Sequence, residues 1–177
     1  MQEGAPLDQE APLPQEVVVI SDTHLPRGAR RLPEVCLEAL RGADLIIHGG
    51  DFSAASVLEE LRALGPPVQA VYGNADEPAL RELLPKELVV EVEEARIGVV
   101  HIPGPAAGRA ERLVRRFPGC DAVVFGHTHL PVVERHGRVW LLNPGSPTER
   151  RRGPVHSFLR LSVTGRRIRP ELVEIRP

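Results

Sequence analysis

The sequence is poor in several residues and patterns that would indicate particular classes of protein. It has two cysteines, one lysine and only 3% aromatic residues among 177 residues. Cys36 and Cys120 lack the spacing of a metal-binding motif or a disulfide framework, so they are predicted to be reduced core thiols of a cytoplasmic protein. No apolar run approaches the ~18 residues that cross a bilayer, because charged residues and glycines interrupt each run. The sequence therefore predicts a soluble protein that does not associate with a membrane.

Neither sign of charge dominates the chain. Twenty-two Lys and Arg residues face 24 Asp and Glu residues, which gives a formal charge of −2. This balance does not predict general binding to nucleic acid or to a membrane surface. Residues 1–15 are rich in Gln, Glu and Pro and lack the basic and apolar regions of a secretory signal, so we predict a flexible tail. Residues 16–177 are sufficient for one compact domain.

The first half of the sequence alternates short apolar runs with amphipathic segments. We predict strands at 16–21, 44–48 and 67–72, and helices at 33–40 and 54–64. The runs are too short for buried helices and rich in β-branched residues, which favours strands buried on both faces. The alternation predicts parallel strands joined by right-handed crossovers. Ligands of such sheets bind at the carboxyl ends of the strands.

The second half is richer in predicted strands. We predict strands at 88–92, 97–101, 121–125, 131–134, 139–142, 155–163 and 168–175, and one helix at 109–117. Turn signals at 136–137 and 164–165 separate neighbouring strands. This half therefore predicts a second, mostly antiparallel sheet. Together the two halves predict an α/β fold in which helices cover layered sheets, with no internal repeat.

Polar side chains recur where the predicted strands end. They are Asp22, His24, Asp51, Asn74, His101, His127 and His129. Two carboxylates, one amide and four imidazoles are a suitable ligand set for two metal ions. Each residue also has an ordinary interpretation as a loop residue, a turn residue or a structural histidine. Their joint occurrence at strand ends favours the metal site.

Three of these motifs carry specific expectations. Asp22 and His24 are two residues apart, so their side chains would point to one face and chelate one ion if strand geometry persisted. Two glycines precede Asp51, and they would allow the backbone to approach an ion that the carboxylate could bridge to a second one. The run Gly-His-Thr-His is the most specific element, because imidazoles at alternate positions, here His127 and His129, suit neighbouring metal sites.

In this order the motifs resemble a known family. DTH from residue 22, GGD from residue 49, GNAD from residue 73, the histidine at 101, GHTH from residue 126 and NPGS from residue 143 are similar to those of the calcineurin-like metallophosphoesterases. The resemblance is closest to their small single-domain bacterial and archaeal phosphodiesterase branch, and it extends from residue 16 to the C-terminus. It implies a four-layer αββα sandwich with two mixed β-sheets.

The resemblance also implies the ligands of two ions. One would be held by Asp22, His24, Asp51 and His129, and the other by Asp51, Asn74, His101 and His127, with Asp51 bridging. Mixed oxygen and nitrogen ligation suits Mn, Fe, Zn or Ni and, less well, Mg, and the family favours Mn. Two divalent ions and two carboxylates leave a charge of +2, which a bridging hydroxide and a phosphodiester monoanion would neutralise.

The implied activity is that of a binuclear metal-dependent phosphodiesterase. A metal-bridging hydroxide would attack a small, nucleotide-like phosphodiester, and Asp51, Asn74 and His127 are the predicted catalytic residues. Ala75 departs from the family pattern, because many relatives carry His or Cys there and the His is thought to protonate the leaving oxygen. We therefore expect a preference for acidic leaving groups, or a metal-bound water as the proton donor. Residues 102–104 also differ from the relatives, which often place Gly and a further His there, so the pocket wall should differ.

Several other residues have two interpretations. Asp76 could orient a neighbour of the metal site or be an exposed turn residue. His48 could form a hydrogen bond near the metals, although a satisfied histidine at a strand end is favoured. Residues 143–146 match a family turn beside the metals or are simply a tight turn. Arg150, Arg151 and Arg152 could hold a substrate phosphate, although a solvated run of charge is favoured.

A different function is compatible with the same fold. A catalytically weak scaffold that binds protein partners would resemble the metallophosphoesterase-like subunit of the retromer coat. A degenerate site should have lost ligands, and none of the seven is missing, which favours the enzyme; the absence of an acid at Ala75 keeps the scaffold open. A phosphomonoesterase or protein phosphatase would share the chemistry, although the short chain lacks room for large recognition insertions. No specific nucleic-acid binding is predicted, and a homo-oligomer is left open.

Overall fold

The computed structural model describes residues 12–176, which form two five-stranded sheets and four helices. The helices are α1 (Glu34–Arg41), α2 (Ala55–Arg62), α3 (Pro78–Leu83) and α4 (Arg109–Arg116). The strands are β1 (Gln15–Ile20), β2 (Leu45–His48), β3 (Val68–Ala70), β4 (Glu87–Val92), β5 (Ala95–Val100), β6 (Ala122–Phe125), β7 (Val132–His136), β8 (Val139–Asn143), β9 (His156–Thr164) and β10 (Arg167–Ile175). The predicted α/β class with two mixed sheets is confirmed.

The first sheet contains the three strands that alternate with helices. Its order is β10-β9-β1-β2-β3, with β1, β2 and β3 parallel and β9 antiparallel to β1. Along β1, Val17 and Val19 contribute to one hydrophobic cluster, whereas Val18 and Ile20 contribute to another. Alternate side chains of a strand point to opposite faces, so β1 is covered on both faces. This explains why its sequence is a continuous apolar run.

The second sheet differs from the mostly antiparallel sheet that the sequence predicted. Its order is β4-β5-β6-β8-β7, and the pairs β5/β6 and β6/β8 are parallel. The connection from β5 to β6 carries α4 and is long enough to return the chain for parallel pairing. In addition, β9 and β10 join the first sheet, because the apolar positions of β9 face the cluster that contains Val17 and Val19. The strands were predicted correctly, but their partners depend on contacts distant in sequence.

The layers are held together by three hydrophobic clusters. The largest lies between the sheets and joins Val19 and Ile47 of the first sheet to Val99 and Val124 of the second. A second cluster packs the first sheet against α1, α2 and α3, and a third packs the second sheet against α4. Each fully buried aliphatic side chain contributes about 1.5–3 kcal/mol relative to exposure. Helix, sheet, sheet and helix therefore form the predicted four-layer sandwich.

Local sequence explains where most helices begin and end. Pro33 occupies the N-cap position of α1, and Gly42 follows its last residue. Gly108 precedes α4 with a positive φ of 66°. Helix α3 was not predicted, because six residues, with proline at the first position, are too few to show helical periodicity.

The predictions about the cysteines, a membrane-spanning segment, the N-terminal tail and the location in the cell have different outcomes. Cys36 and Cys120 are both free and buried, and burial raises the pKa of the Cys36 thiol to about 12. Within residues 12–176, no helix is long and apolar enough to cross a membrane. Most of the predicted tail, 1–15, lies outside the described residues, so that tail and the cytoplasmic location stay predictions.

Candidate metal centre

The seven candidate ligands lie at one edge of the two sheets. Each follows the carboxyl end of a strand, β1, β2, β3, β5 or β6, and each of these strands has a parallel neighbour in its sheet. The structure brings all seven together. The side chains are Asp22, His24, Asp51, Asn74, His101, His127 and His129.

The backbone at these residues does not continue the strands. Of the eight non-glycine residues with positive φ in the described chain, five are candidate ligands: Asp22 (57°), His24 (46°), Asp51 (60°), His127 (69°) and His129 (58°). Residues other than glycine are uncommon in this left-handed region, and such strain clusters at functional sites. Strand geometry therefore does not persist from Asp22 to His24, although the two side chains do reach one site. Left-handed turns, rather than strand pleating, direct both side chains to the site.

One group of ligand atoms lies between the β1 and β6 loops. His129 Nε2 is 3.2 Å from Asp22 Oδ1 and 3.3 Å from His24 Nε2. One ligand atom of each of these three buried side chains lies within 4.8 Å of the other two. An imidazole pair and a carboxylate at such spacing can hold a divalent metal ion.

A second group lies beside the first. His101 Nε2 is 3.1 Å from Asp51 Oδ2, and Asp22, Asp51 and His101 also place ligand atoms within 4.8 Å of one another. The amide oxygen of Asn74 is 3.1 Å from His101 Nε2 and 2.9 Å from His127 Nδ1. Asn74, His101 and His127 therefore share one corner of the cluster, next to both carboxylates.

Two histidines are oriented by backbone carbonyl groups. His101 Nδ1 donates to the Gly49 carbonyl at 2.8 Å, and His129 Nδ1 donates to the Glu149 carbonyl at 2.5 Å. A proton held on Nδ1 leaves the lone pair of Nε2 free for a metal ion. In both residues it is Nε2 that faces the carboxylates.

The two carboxylates are held by hydrogen bonds from a side-chain hydroxyl and from backbone N–H groups. Asp22 Oδ2 accepts from Ser21 Oγ at 2.6 Å and from the backbone N–H of His127 at 3.0 Å. Asp51 Oδ1 accepts from the N–H of Ala75 at 2.8 Å. Each carboxylate thus keeps its other oxygen toward the imidazoles.

Opposite charges keep Asp51 ionised although it is buried. Burial raises the pKa of Asp51, but the hydrogen bond and charge of His101, the Ala75 N–H and the charge of His24 outweigh burial and lower it to about 2. Burial lowers the pKa of His24 and of His127. For His101 burial also lowers the pKa, but Asp51 and Asp22 outweigh it and the net direction is upward. The cluster therefore combines the ionised carboxylate of Asp51 with the imidazoles of His24 and His127, whose lowered pKa favours the neutral form that binds a metal ion.

Glycines allow the loops to approach each other this closely. A Cβ on Gly73 would lie 2.1 Å from Asp51 Oδ1, and one on Gly126 would lie 2.2 Å from Ser21 Oγ. Neither distance is compatible with a side chain, so the Gly-Asn and Gly-His pairs need glycine because the loops pack so closely there.

Asp76 has a structural role that the sequence left open. The residue is buried, so the interpretation as an exposed turn residue is wrong. Its carboxylate accepts from the backbone N–H groups of Gly73 at 2.7 Å, Ser53 at 2.8 Å and Asp51 at 3.1 Å. Asp76 therefore fastens the loop after β3 to the loop that carries Asp51.

The turn at 143–146 also supports the site. Ser146 Oγ donates to the Asp22 carbonyl at 2.8 Å, and Thr148 Oγ1 donates to the Thr23 carbonyl at 2.6 Å. Asn143 Nδ2 donates to the Gly126 carbonyl at 3.2 Å. The sequence did not single out Thr148, because a threonine shortly after a turn carries no distinctive signal. These bonds fasten the two loops that supply the first ligand group.

His48 is a satisfied buried histidine, as the sequence favoured. Its Nδ1 accepts from the N–H of Gly50 at 3.0 Å, so Nε2 carries the proton and donates to Thr23 Oγ1 at 3.1 Å. Its ring stacks on Phe52. Burial lowers the pKa of His48 well below the usual value, which keeps the ring neutral.

Glu149 and Arg151 lie at the rim of the site. Glu149, which sequence reasoning missed, has Oε2 3.8 Å from His24 Nε2 and 3.3 Å from Arg30 Nη1. Arg151 pairs with Glu149 at 3.6 Å, whereas Arg150 donates to the Pro154 carbonyl. Arg151 and Arg152 are exposed. A glutamate within a charged run has an ordinary surface interpretation in sequence, and only the fold places it beside His24.

Comparison with known proteins agrees with this geometry. The family model for the calcineurin-like phosphoesterase superfamily domain matches residues 16–166. A "probable metallophosphoesterase" of Methanothermobacter thermautotrophicus is 36% identical over 159 residues, which is 88% of this chain and 90% of that protein. A phosphodiesterase of Methanocaldococcus jannaschii is 28% identical over 144 residues, covering 73% of this chain and 82% of that protein.

Solved structures have the same fold. Vacuolar protein sorting 29 from Cryptosporidium parvum superposes with a TM-score of 0.78 at 26% identity, covering 93% of each chain. Vps29 of Entamoeba histolytica complexed with Zn²⁺ superposes with a TM-score of 0.70 at 25% identity, covering 90% of this chain and 99% of that one. The family match across most of the domain, together with the converging Asp and His side chains, leads to one conclusion: this chain belongs to the calcineurin-like phosphoesterase superfamily.

Proposed function

We propose that the protein is a binuclear metal-dependent phosphodiesterase. The observation that carries the proposal is the convergence of two carboxylates between imidazoles from opposite sides of the site. Asp51 Oδ2 lies 3.1 Å from His101 Nε2 and 3.6 Å from His24 Nε2, so it faces both ligand groups. This position suits a carboxylate shared by two ions. Asp22 Oδ1 is closest to His129, which suits a ligand of the first ion.

The donor set fits divalent metal ions. Carboxylate, amide and imidazole ligands together suit Mn, Fe, Zn or Ni, and Mn is our choice for assays. Asp22, His24, Asp51 and His129 would hold one ion, and Asp51, Asn74, His101 and His127 the other. Two bound divalent ions would activate a water molecule and stabilise the charge of the phosphate in the transition state.

The protein groups prepare the site for that chemistry. The carbonyl groups of Gly49 and Glu149 hold His101 and His129 with Nε2 toward the ions, which reduces reorganisation on binding. His127 and Asn74 are less buried than the other ligands and lie on the open side of the cluster, where a phosphate would enter. Asn74 can turn its amide toward a phosphate oxygen as well as toward an ion.

The residue beside Asn74 cannot donate a proton to the leaving group. Ala75 is exposed beside Asn74 and has no proton to donate. We therefore expect rates that rise steeply as the pKa of the leaving phenol falls, and Ala75→His should reduce that dependence. A slope near zero for the unchanged protein would contradict this expectation.

The decisive experiment is to measure bound metal and the hydrolysis of bis(4-nitrophenyl) phosphate beside 4-nitrophenyl phosphate with Mn. Asp51→Asn and His129→Ala should each reduce turnover at least about 100-fold and lower the metal content, because the first removes the negative charge of a ligand and the second removes an imidazole ligand. Glu77→Gln, which lies outside the cluster, is the matched control. If the unchanged protein binds no metal and hydrolyses neither ester, the enzymatic proposal fails.

A scaffold that binds protein partners is the second candidate. It is favoured by the similarity to vacuolar protein sorting 29 and by the lack of a proton donor at Ala75. A scaffold should bind metal without turnover of either ester, whereas the proposed enzyme should do both.

A further inference from the structure

A basic pocket opens directly beside the candidate metal centre. It has a volume of about 500 Å³, and its lining includes Asn74 and His101 of the second ligand group. We define the basic pocket by its four cationic side chains, which are Arg81, Lys86, Arg112 and Arg116. No Asp or Glu lines it. A pocket of this size accommodates a small organic group.

The positive charge in this pocket is largely uncompensated. Arg116 pairs with Glu87, but among the described residues no carboxylate lies within ion-pair distance of Arg81, Lys86 or Arg112. The pocket thus keeps a charge of about +3 on a chain whose formal charge is −2. Such a local concentration of one sign in a concave site attracts an oppositely charged ligand.

Two of the guanidinium groups are held in place by neutral partners. Arg81 Nη2 donates to the Asn74 carbonyl at 2.8 Å, and Arg112 Nη2 donates to the Pro103 carbonyl at 3.0 Å. A carbonyl group positions a guanidinium without cancelling its charge. Arg81 is therefore fixed to the backbone of a candidate ligand, and Arg112 to the loop that follows His101.

We propose that the basic pocket binds a second anionic group, such as a phosphate, on the phosphodiester substrate. This inference rests on the proposed function, because the scissile phosphate has to lie at the metal centre. The part of the substrate that extends from the scissile phosphate past Asn74 and His101 would then enter the pocket. Tyr72 also lines the pocket, and Arg81 Cζ lies over its ring at 5.9 Å from the centroid, so an aromatic ring adjoins one of the cations there.

The test compares two substrates that differ by one phosphate. They are the 4-nitrophenyl ester of thymidine 5′-phosphate and the same ester carrying a 3′-phosphate, each assayed with Mn. We expect a higher kcat/KM for the ester with the 3′-phosphate, and we expect Lys86→Gln and Arg112→Gln to lower the ratio of the two kcat/KM values about three- to tenfold. Lys86→Gln is the cleaner variant, because Arg112 also holds the loop after His101 through the carbonyl groups of Pro103 and Pro105.

Arg115→Gln is the matched control. Arg115 lies on the same helix as Arg112 and the substitution changes the net charge equally, but Arg115 does not line the pocket. The ratio should stay constant in this variant. An unchanged ratio in both Lys86→Gln and Arg112→Gln, or an equal fall in Arg115→Gln, would overturn the proposal.

A binding measurement separates this inference from the proposed function. The ratio of the dissociation constants of thymidine 3′,5′-bisphosphate and thymidine 5′-phosphate is measured with Mn for the same variants. If neither ester releases nitrophenolate, the phosphodiesterase proposal fails, and the binding ratio alone decides whether the pocket recognises the second phosphate. Equal affinity for the two nucleotides in the unchanged protein would overturn the inference.

Discussion

Asp76 provides the sharpest test of how the site is assembled. Its carboxylate accepts three backbone N–H groups, from Gly73, Ser53 and Asp51, while buried. An amide can accept from at most two of these donors in one orientation, because its NH₂ group must face the third. We therefore expect Asp76→Asn to leave one buried donor unsatisfied and to weaken the other two bonds by removing the charge.

The magnitude follows from these contacts. An unsatisfied buried donor costs about 1–3 kcal/mol, and each charge-assisted bond loses roughly half its strength. Removing a buried charge offsets part of the loss, because burial raises the pKa of Asp76. We expect the free energy of unfolding to fall by about 2 kcal/mol in Asp76→Asn. Metal affinity should fall about 10- to 100-fold as well, because Asp76 positions the backbone of Asp51.

Urea unfolding with a chelator present measures the stability, and titration with Mn measures the affinity. The matched control is Glu77→Gln, since Glu77 accepts a single N–H, that of Ala55, at an exposed position. The free energy of unfolding of Glu77→Gln should fall by less than about 1 kcal/mol. If the two variants lie within about 0.5 kcal/mol of each other, the reasoning about Asp76 is refuted.

Three further predictions concern other parts of the molecule. Gly98→Ala should lower the free energy of unfolding by about 1–3 kcal/mol in denaturant, because its Cβ would lie 2.5 Å from the Phe117 ring; unchanged stability would contradict this. The pKa of His48 is lowered in the folded state, so below about pH 6.5 the unfolded chain binds a proton there that the folded chain does not, and the free energy of unfolding falls with the pH. His48→Gln should reduce this fall by about 1 kcal/mol per pH unit, and an unchanged pH dependence would refute the reasoning. If Asp22 and its neighbours bind metal, Mn at about 100 times its Kd should raise the free energy of unfolding by about 2.7 kcal/mol, and EDTA should abolish the gain.

The pH prediction follows from which state binds the proton. A histidine whose folded pKa is lowered contributes full stability above its unfolded pKa of about 6.5 and loses it as the pH falls. His101 has a raised pKa and acts in the opposite sense, so its contribution is lost as the pH rises through its folded pKa. The difference in pH dependence between the unchanged protein and His48→Gln therefore gives the contribution of His48 to the free energy of unfolding. Differential scanning calorimetry with chelator, across pH 5 to 7.5, is the measurement.

Most strands could be predicted from sequence because each signal is local. In β1, four consecutive buried residues identify a strand covered on both faces, whichever strands lie beside it. The partner of β9 could not be predicted in this way. An apolar strand is compatible with either sheet, and the choice depends on packing against Val17 and Val19. The short helix α3 could not be predicted, because six residues are too few to show a helical period.

The sequence by itself determined the chemical types and the order of the candidate ligands, since strand ends and residue types can be read along the chain. Only the tertiary structure decided how they are held. His24 and Asp22 reach the site through left-handed turns, and Asp76 is buried beneath it, although both features look like ordinary turns in sequence. The basic pocket likewise joins residues from distant segments. Residue type is a local property, whereas burial, charge compensation and the direction of a side chain arise from contacts between segments distant in sequence.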